Sequence, residues 1–138
     1  MKKAGFTIIE LIIVIIIISI LLSITPVYIS NYQNSIELSN AGNKLASDLR
    51  KASQASGGDS TYSVSFDIVL NRYIINSKNS SETLYLPPNT KFTAAPLMIK
   101  FDRKGIPLSS GDTVVISDNR KNISVIIKKI TGEIVVAE

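Results

Sequence analysis

The chain contains no cysteine and no histidine in 138 residues. That removes disulfide staples, thiolate nucleophiles, Cys/His zinc sites and every catalytic arrangement that needs an imidazole. It leaves the redox compartment open, because a chain without thiols suits either side of a membrane. No glycine-rich phosphate loop and no nucleophile motif occurs. Asp59, Asp67, Asp102, Asp112 and Asp118 lack the one-three-five spacing of a calcium loop. No enzyme, metal or cofactor is expected. There is no internal repeat, and no linker sets off a separable C-terminal domain.

Charge excludes less. The formal net charge is +4, but Lys2 and Lys3 stand ahead of an apolar run, and without them acids and bases nearly balance. A nucleic-acid binder usually shows a basic face or a high local pI, which this total does not supply.

What the chain does have is unevenly placed. Hydrophobic residues make up 45%, and they crowd into residues 6–28, FTIIELIIVIIIISILLSITPVY, behind the short positive leader MKKAG. At about 1.5 Å per helical residue, that run matches a hydrocarbon core of about 30 Å. Lys2 and Lys3 favour a cytoplasmic N-terminus with the remainder sent outward. A removed secretory signal is the plainer alternative, but such signals are shorter, and Ser23-Ile24-Thr25 makes a poor small-residue cleavage site. A plain membrane anchor is a second alternative.

Glu10 separates these readings. A carboxylate inside a membrane helix costs about 2.5–3.5 kcal/mol near the bilayer centre, and less near an interface. Anchoring alone requires no such group. No other charge lies between Lys3 and Glu37, so no cationic side chain of this helix can pair with it. A cut between Gly5 and Phe6 would create an α-ammonium one helical turn away. That ammonium could pair with Glu10 of its own subunit or of a neighbour.

Gly5-Phe6-Thr7-Ile8-Ile9-Glu10-Leu11, preceded by two lysines and followed by an apolar helix, resembles the signal of type IV pilins and pseudopilins. The resemblance implies cleavage after Gly5 by a prepilin peptidase, N-methylation of Phe6, and a role for Glu10 in filament register. It also implies partners: other major and minor pilins or pseudopilins, an inner-membrane assembly platform, and membrane lipid. The implied location is single-pass in the cytoplasmic (inner) membrane, with the C-terminal domain extracytoplasmic, and then a pilus or pseudopilus after assembly. Pro26 removes one backbone bond from the helix and marks a kink, either for packing in a filament or where the helix leaves the membrane.

The rest of the chain divides by periodicity. Leu38, Ala41, Leu45, Leu49, Ala52 and Ala55 recur at three- and four-residue intervals as one apolar stripe. Ser39, Asn40, Asn43, Lys44, Asp48, Arg50 and Lys51 mostly cover other faces, and Gly57-Gly58 supplies a stop. From Thr61 the period becomes two, with Tyr62, Val64, Phe66 and Ile68 alternating with polar residues. Further strands are expected at 73–75, 84–86, 91–93, 97–101, 113–117, 123–130 and 133–136, with a polar, mobile tip at 77–82. Turns are read at Asn71-Arg72, Pro87-Pro88-Asn89, 102–105, 109–111, Asp118-Asn119 and Thr131-Gly132.

The expected fold is therefore α+β and pilin-like. A long N-terminal helix, its first half transmembrane, packs on a C-terminal antiparallel β head of two small sheets. The expected division is a leader at 1–5, a transmembrane half-helix at 6–28, an amphipathic half at 29–56 and a β head at 57–138. The order Ile99-Lys100-Phe101-Asp102-Arg103-Lys104-Gly105, a Gly111 turn, and two strands closed by Ile130-Thr131-Gly132-Glu133-Ile134 is similar to FimT/GspH-type minor pilins and pseudopilins. That likeness implies a low-copy subunit near a filament tip.

Basic doublets stand at Arg103-Lys104, Arg120-Lys121 and Lys128-Lys129. If their turns share one end of the sheets they could meet phosphate, so a DNA-binding minor pilin of a DNA-uptake pilus is an alternative. Some FimT-like minor pilins capture DNA through basic residues of the last hairpin and tail. Here Glu133 follows Gly132 where such relatives tend to have arginine, so DNA is possible but not favoured, and solvated turn charge is the plainer reading. Tyr62, Tyr73, Tyr85, Phe92 and Phe101 fit a core better than a base-stacking platform. A membrane-anchored extracytoplasmic β domain remains a further alternative.

Overall fold

Apolar residues at helical spacing lead, in a computed structural model, to one helix, α1 (Ile8–Ala55). Among the described residues eight strands follow: β1 (Ser63–Asp67), β2 (Arg72–Asn76), β3 (Ser81–Tyr85), β4 (Lys91–Ala94), β5 (Met98–Lys100), β6 (Thr113–Ser117), β7 (Asn122–Ile127) and β8 (Ile134–Ala137). The structure describes residues 7–57, 62–108, 112–118 and 120–137, without the side chains of 24–31. The expected features at Gly5, Phe6, Gly58, Thr61, the 109–111 turn and Asn119 lie outside the described residues, as does the side chain of Pro26, a position within the span of α1. Packing divides the chain into two compact units, Met1–Gln33 and Asn34–Glu138.

In the first unit, every described side chain from Thr7 to Ser23 is exposed. The expected membrane-crossing half-helix over 6–28 is not supported by the described residues. No helix among them is long and apolar enough to cross a membrane.

The second unit is α+β, with two four-stranded antiparallel sheets against the helix. Their strand orders are β3-β2-β1-β5 and β4-β6-β7-β8. Each sheet is built from hairpins, but β4 and β5 are exchanged. Following β3, the chain crosses at Pro87-Pro88-Asn89 to pair β4 with β6, and it then returns to pair β5 with β1.

Helix residues Leu38, Ala41, Leu45, Leu49 and Ala52 are buried as their spacing requires, while Ala55 at the end of the stripe is exposed. The buried face is wider than one stripe, because the helix meets two sheets. Asp48 accepts a hydrogen bond from Tyr73 of β2 on one side. On the other, Arg50 donates to the Ile134 carbonyl of β8 at 2.6 Å. Gly42 faces this second sheet so closely that a Cβ there would lie 2.8 Å from Cγ2 of Ile123. Ala46 is also fully buried. Three aromatic rings join the sheets: Phe92 of β4 packs edge-on against Phe66 of β1 and Tyr73, with centroids 5.7 Å and 6.4 Å away.

Two expectations about the strands change. The tip expected at 77–82 closes earlier, with Ser77 N–H donating to the Ser80 carbonyl at 2.8 Å, and β3 already begins at Ser81, opposite Asn76. Its residues read as loop because β3 is an edge strand whose side chains are mostly exposed. Ile68 and Ile130, expected at the ends of strands, stand in turns and are 44% and 88% exposed.

Candidate functional site

The helix begins with a cap. Thr7 precedes the first helical residue, and its Oγ1 accepts the Glu10 N–H at 3.4 Å while its carbonyl accepts the Leu11 N–H at 3.3 Å. Glu10 is thus the third residue of the helix and the acid of its first turn, where the unpaired N–H groups and the helix dipole favour negative charge. Its side chain is exposed. Sequence reasoning missed the cap, although Thr-x-x-Glu ahead of an apolar run is the pattern that announces it. Gly5 and Phe6, the expected cleavage and methylation positions, immediately precede this start but lie outside the described residues.

The exposed run behind Glu10 contains two serines, and both are satisfied by their own helix. Ser19 Oγ donates to the Ile15 carbonyl, and Ser23 Oγ to the Ile20 carbonyl, each at 2.7 Å. With its hydroxyls bonded internally, this face presents hydrocarbon and asks no hydrogen bonds of its surroundings.

The six basic candidates do not share one end of the second unit. Arg103 and Lys104 occupy the turn after Asp102, whose carboxylate accepts the Lys104 and Ile106 N–H groups. This turn docks on the C-terminal end of α1, where Ser56 Oγ reaches the Asp102 carbonyl and Ser53 Oγ the Gly105 carbonyl. Lys128 and Lys129 begin the β7–β8 turn. A Cβ on its Gly132 would meet the Gly105 carbonyl at 3.0 Å, so these two doublets sit together. Arg120 and Lys121 lie at the opposite end, in the β6–β7 turn, with Lys121 lining a cavity beside Ser35 and Leu38. Lys128 is also paired, its Nζ 2.8 Å from Oε2 of Glu133. A strand of DNA would therefore not meet all three doublets on one face.

Tyr73 is held well above the usual phenol range, first by burial and then by its hydrogen bond to Asp48, so it acts as a donor and not as a base. The Asp118 carboxyl is held below its usual value, chiefly by the Lys121 N–H and also by that of Arg120. Both arrangements order local structure. Among the described residues no group of three or more Asp or Glu side chains gathers as a metal site would require.

No curated protein matches the chain. No solved structure matches it either. Residues 1–25 match the family model described as the prokaryotic N-terminal methylation motif. The match spans Lys2, Lys3, Gly5, Phe6, the capped helix start and Glu10, and it supports a type IV pilin-like prepilin, a structural class and a substrate of prepilin peptidase.

Proposed function

We propose that this chain is a minor pilin or pseudopilin, the structural subunit of a type IV pilus, a type II secretion pseudopilus or a competence pilus. The observation that carries the reading is Glu10, the acid of the first turn of α1 and the one charge in the apolar run that opens it, inside the segment that matches the methylation motif. Prepilin peptidase cuts between Gly5 and Phe6 and methylates the new amine. Residues 6–28 hold the monomer as a single span in the cytoplasmic membrane, N-terminus inside and β head outside, and later join the helical core of a filament. Support for the span comes from the length of the run, the leader lysines and the internally bonded serines. The Phe6 ammonium and Glu10 then neutralise each other, within a subunit or between neighbours, and set register. The kink at Pro26 and the FimT/GspH-type subclass belong to the same proposal; the latter is supported by a β head closed through Gly132.

The test is the intact mass and N-terminal sequence of the protein from cells with its own prepilin peptidase. A start at Phe6 carrying one methyl group is expected, and Glu10→Ala should leave cleavage intact while blocking incorporation into filaments. A retained Met1, with the peptidase active on another substrate, refutes the reading and leaves an anchored extracytoplasmic domain. DNA binding is not favoured, since the doublets divide between two ends and Lys128 is engaged by Glu133.

A further inference from the structure

The turn joining β1 to β2 is Ile68-Val69-Leu70, and its three side chains are 44%, 92% and 54% exposed. Turns ordinarily carry Gly, Asn, Asp or Ser, and a run of consecutive exposed apolar residues is unfavourable unless something covers it. Leu97, 88% exposed, stands on the adjoining strand edge, where its carbonyl accepts the Phe66 N–H at 3.1 Å. The turn is rigidly placed. Asn71 closes it at φ 52°, donates from Nδ2 to the Thr90 carbonyl and accepts the Phe92 N–H, both at 3.0 Å.

These residues lie at the end of the head where the helix enters it. Asn89, next to Thr90, donates to Oδ1 of Asn34 and to Oε2 of Glu37. Asn34, Asn71, Asn89, Lys91 and Arg120 line one polar groove of about 480 Å³, and Lys121 lines the neighbouring cavity. Lys91 and Lys121 are exposed. The acids nearby are engaged: Asp118 accepts two backbone N–H groups, Glu37 accepts from Asn89, and Asp67 pairs with Arg72 at 3.2 Å.

Chain connectivity says what meets this end. Residue 34 follows the apolar run 6–28 by six positions, which even fully extended span no more than about 21 Å. With that run in a bilayer, residue 34 is held within that reach of the lipid surface. The opposite end of the head, beside Ser56, is some 30 Å farther along the helix at about 1.5 Å per residue. We propose that residues 68–70 and Leu97 form a lipid-contacting tip. It enters the headgroup–acyl boundary while the subunit waits in the membrane, with Lys91 and Lys121 facing lipid phosphates. The proposal rests on the reading of residues 6–28 as a membrane segment.

The lack of cysteine makes the test direct. Single variants Ile16→Cys, Val69→Cys and Lys104→Cys of the full chain are labelled with an environment-sensitive fluorophore. They are then reconstituted in phosphatidylethanolamine–phosphatidylglycerol vesicles with brominated acyl chains. The expected result is a blue shift and loss of emission at positions 16 and 69 and neither at 104, with Leu97→Asp restoring emission at 69. Quenching at 16 without quenching at 69 overturns the tip and leaves the membrane segment standing. Absence of quenching at 16 overturns both. Energy transfer between labels at 69 on different copies, without bromine quenching, overturns the lipid assignment in favour of a subunit interface.

Discussion

The hydroxyl of Tyr73 offers the sharpest check on how the head is held together. Tyr73 is 2% exposed and donates to Oδ2 of Asp48 at 2.7 Å, while Asp48 is itself only 6% exposed. Tyr73→Phe keeps the ring against Phe66 and Phe92 but leaves a buried carboxylate oxygen without its donor. The remaining partner of Asp48 is Lys51, at 3.2 Å and with a side chain 73% exposed, a pair worth no more than about 1 kcal/mol. A hydrogen bond to a charged group contributes about 1.5–3 kcal/mol. At about 4 °C per kcal/mol for a unit of this size, thermal unfolding of the full chain in detergent, followed by circular dichroism, should drop by roughly 6–12 °C. The sign with pH follows from the raised Tyr73 value. The unfolded chain ionises this phenol near pH 10 and the folded chain does not. The stabilisation is therefore complete below about pH 10 and is lost as pH rises above it. The gap between wild type and Tyr73→Phe should close in that alkaline range. A variant within about 0.5 kcal/mol of wild type at neutral pH, or a gap that widens with alkalinity, would refute the reasoning.

Leu45, fully buried in the helix face, should cost about 2–5 kcal/mol as Leu45→Ala, read by the same unfolding assay, whereas Leu108→Ala, at a side chain 63% exposed, should stay within about 0.5 kcal/mol. Gly105→Ala should lose about 2–4 kcal/mol, because φ is 75° and the new Cβ would sit 2.7 Å from the Ser53 carbonyl oxygen; an unchanged midpoint in urea would show that the turn does not dock on α1 as described.

Much of this was legible one residue at a time. Leu38, Ala41, Leu45, Leu49 and Ala52 announce a helix face because 3.6-residue geometry leaves no other way to bury them together. Val64 and Phe66 announce a strand because alternate side chains point to opposite faces. Ala55 was misjudged because the same spacing persists past the point where the sheets stop covering the helix. Asp48 stands off the apolar stripe, and a lone carboxylate gives no sign of being buried; its partner lies 25 residues away. Ser81 and Glu82 looked like loop because an edge strand exposes side chains that a central strand would bury.

The sequence by itself announced the order of elements: an apolar run carrying Glu10, an amphipathic helical continuation and an antiparallel β head. Each of these is written in local periodicity or in a short ordered motif, which backbone geometry and the cost of placing charge in lipid make readable. Tertiary structure alone decided that β4 and β5 exchange sheets and that the helix serves two sheets through opposite flanks. It also separated Arg120-Lys121 from the other doublets and gathered Ile68, Val69, Leu70 and Leu97 at the end where the helix enters. Those outcomes depend on which distant segments pair, and such pairings are settled by shared burial between residues far apart in the chain, where no local pattern records them.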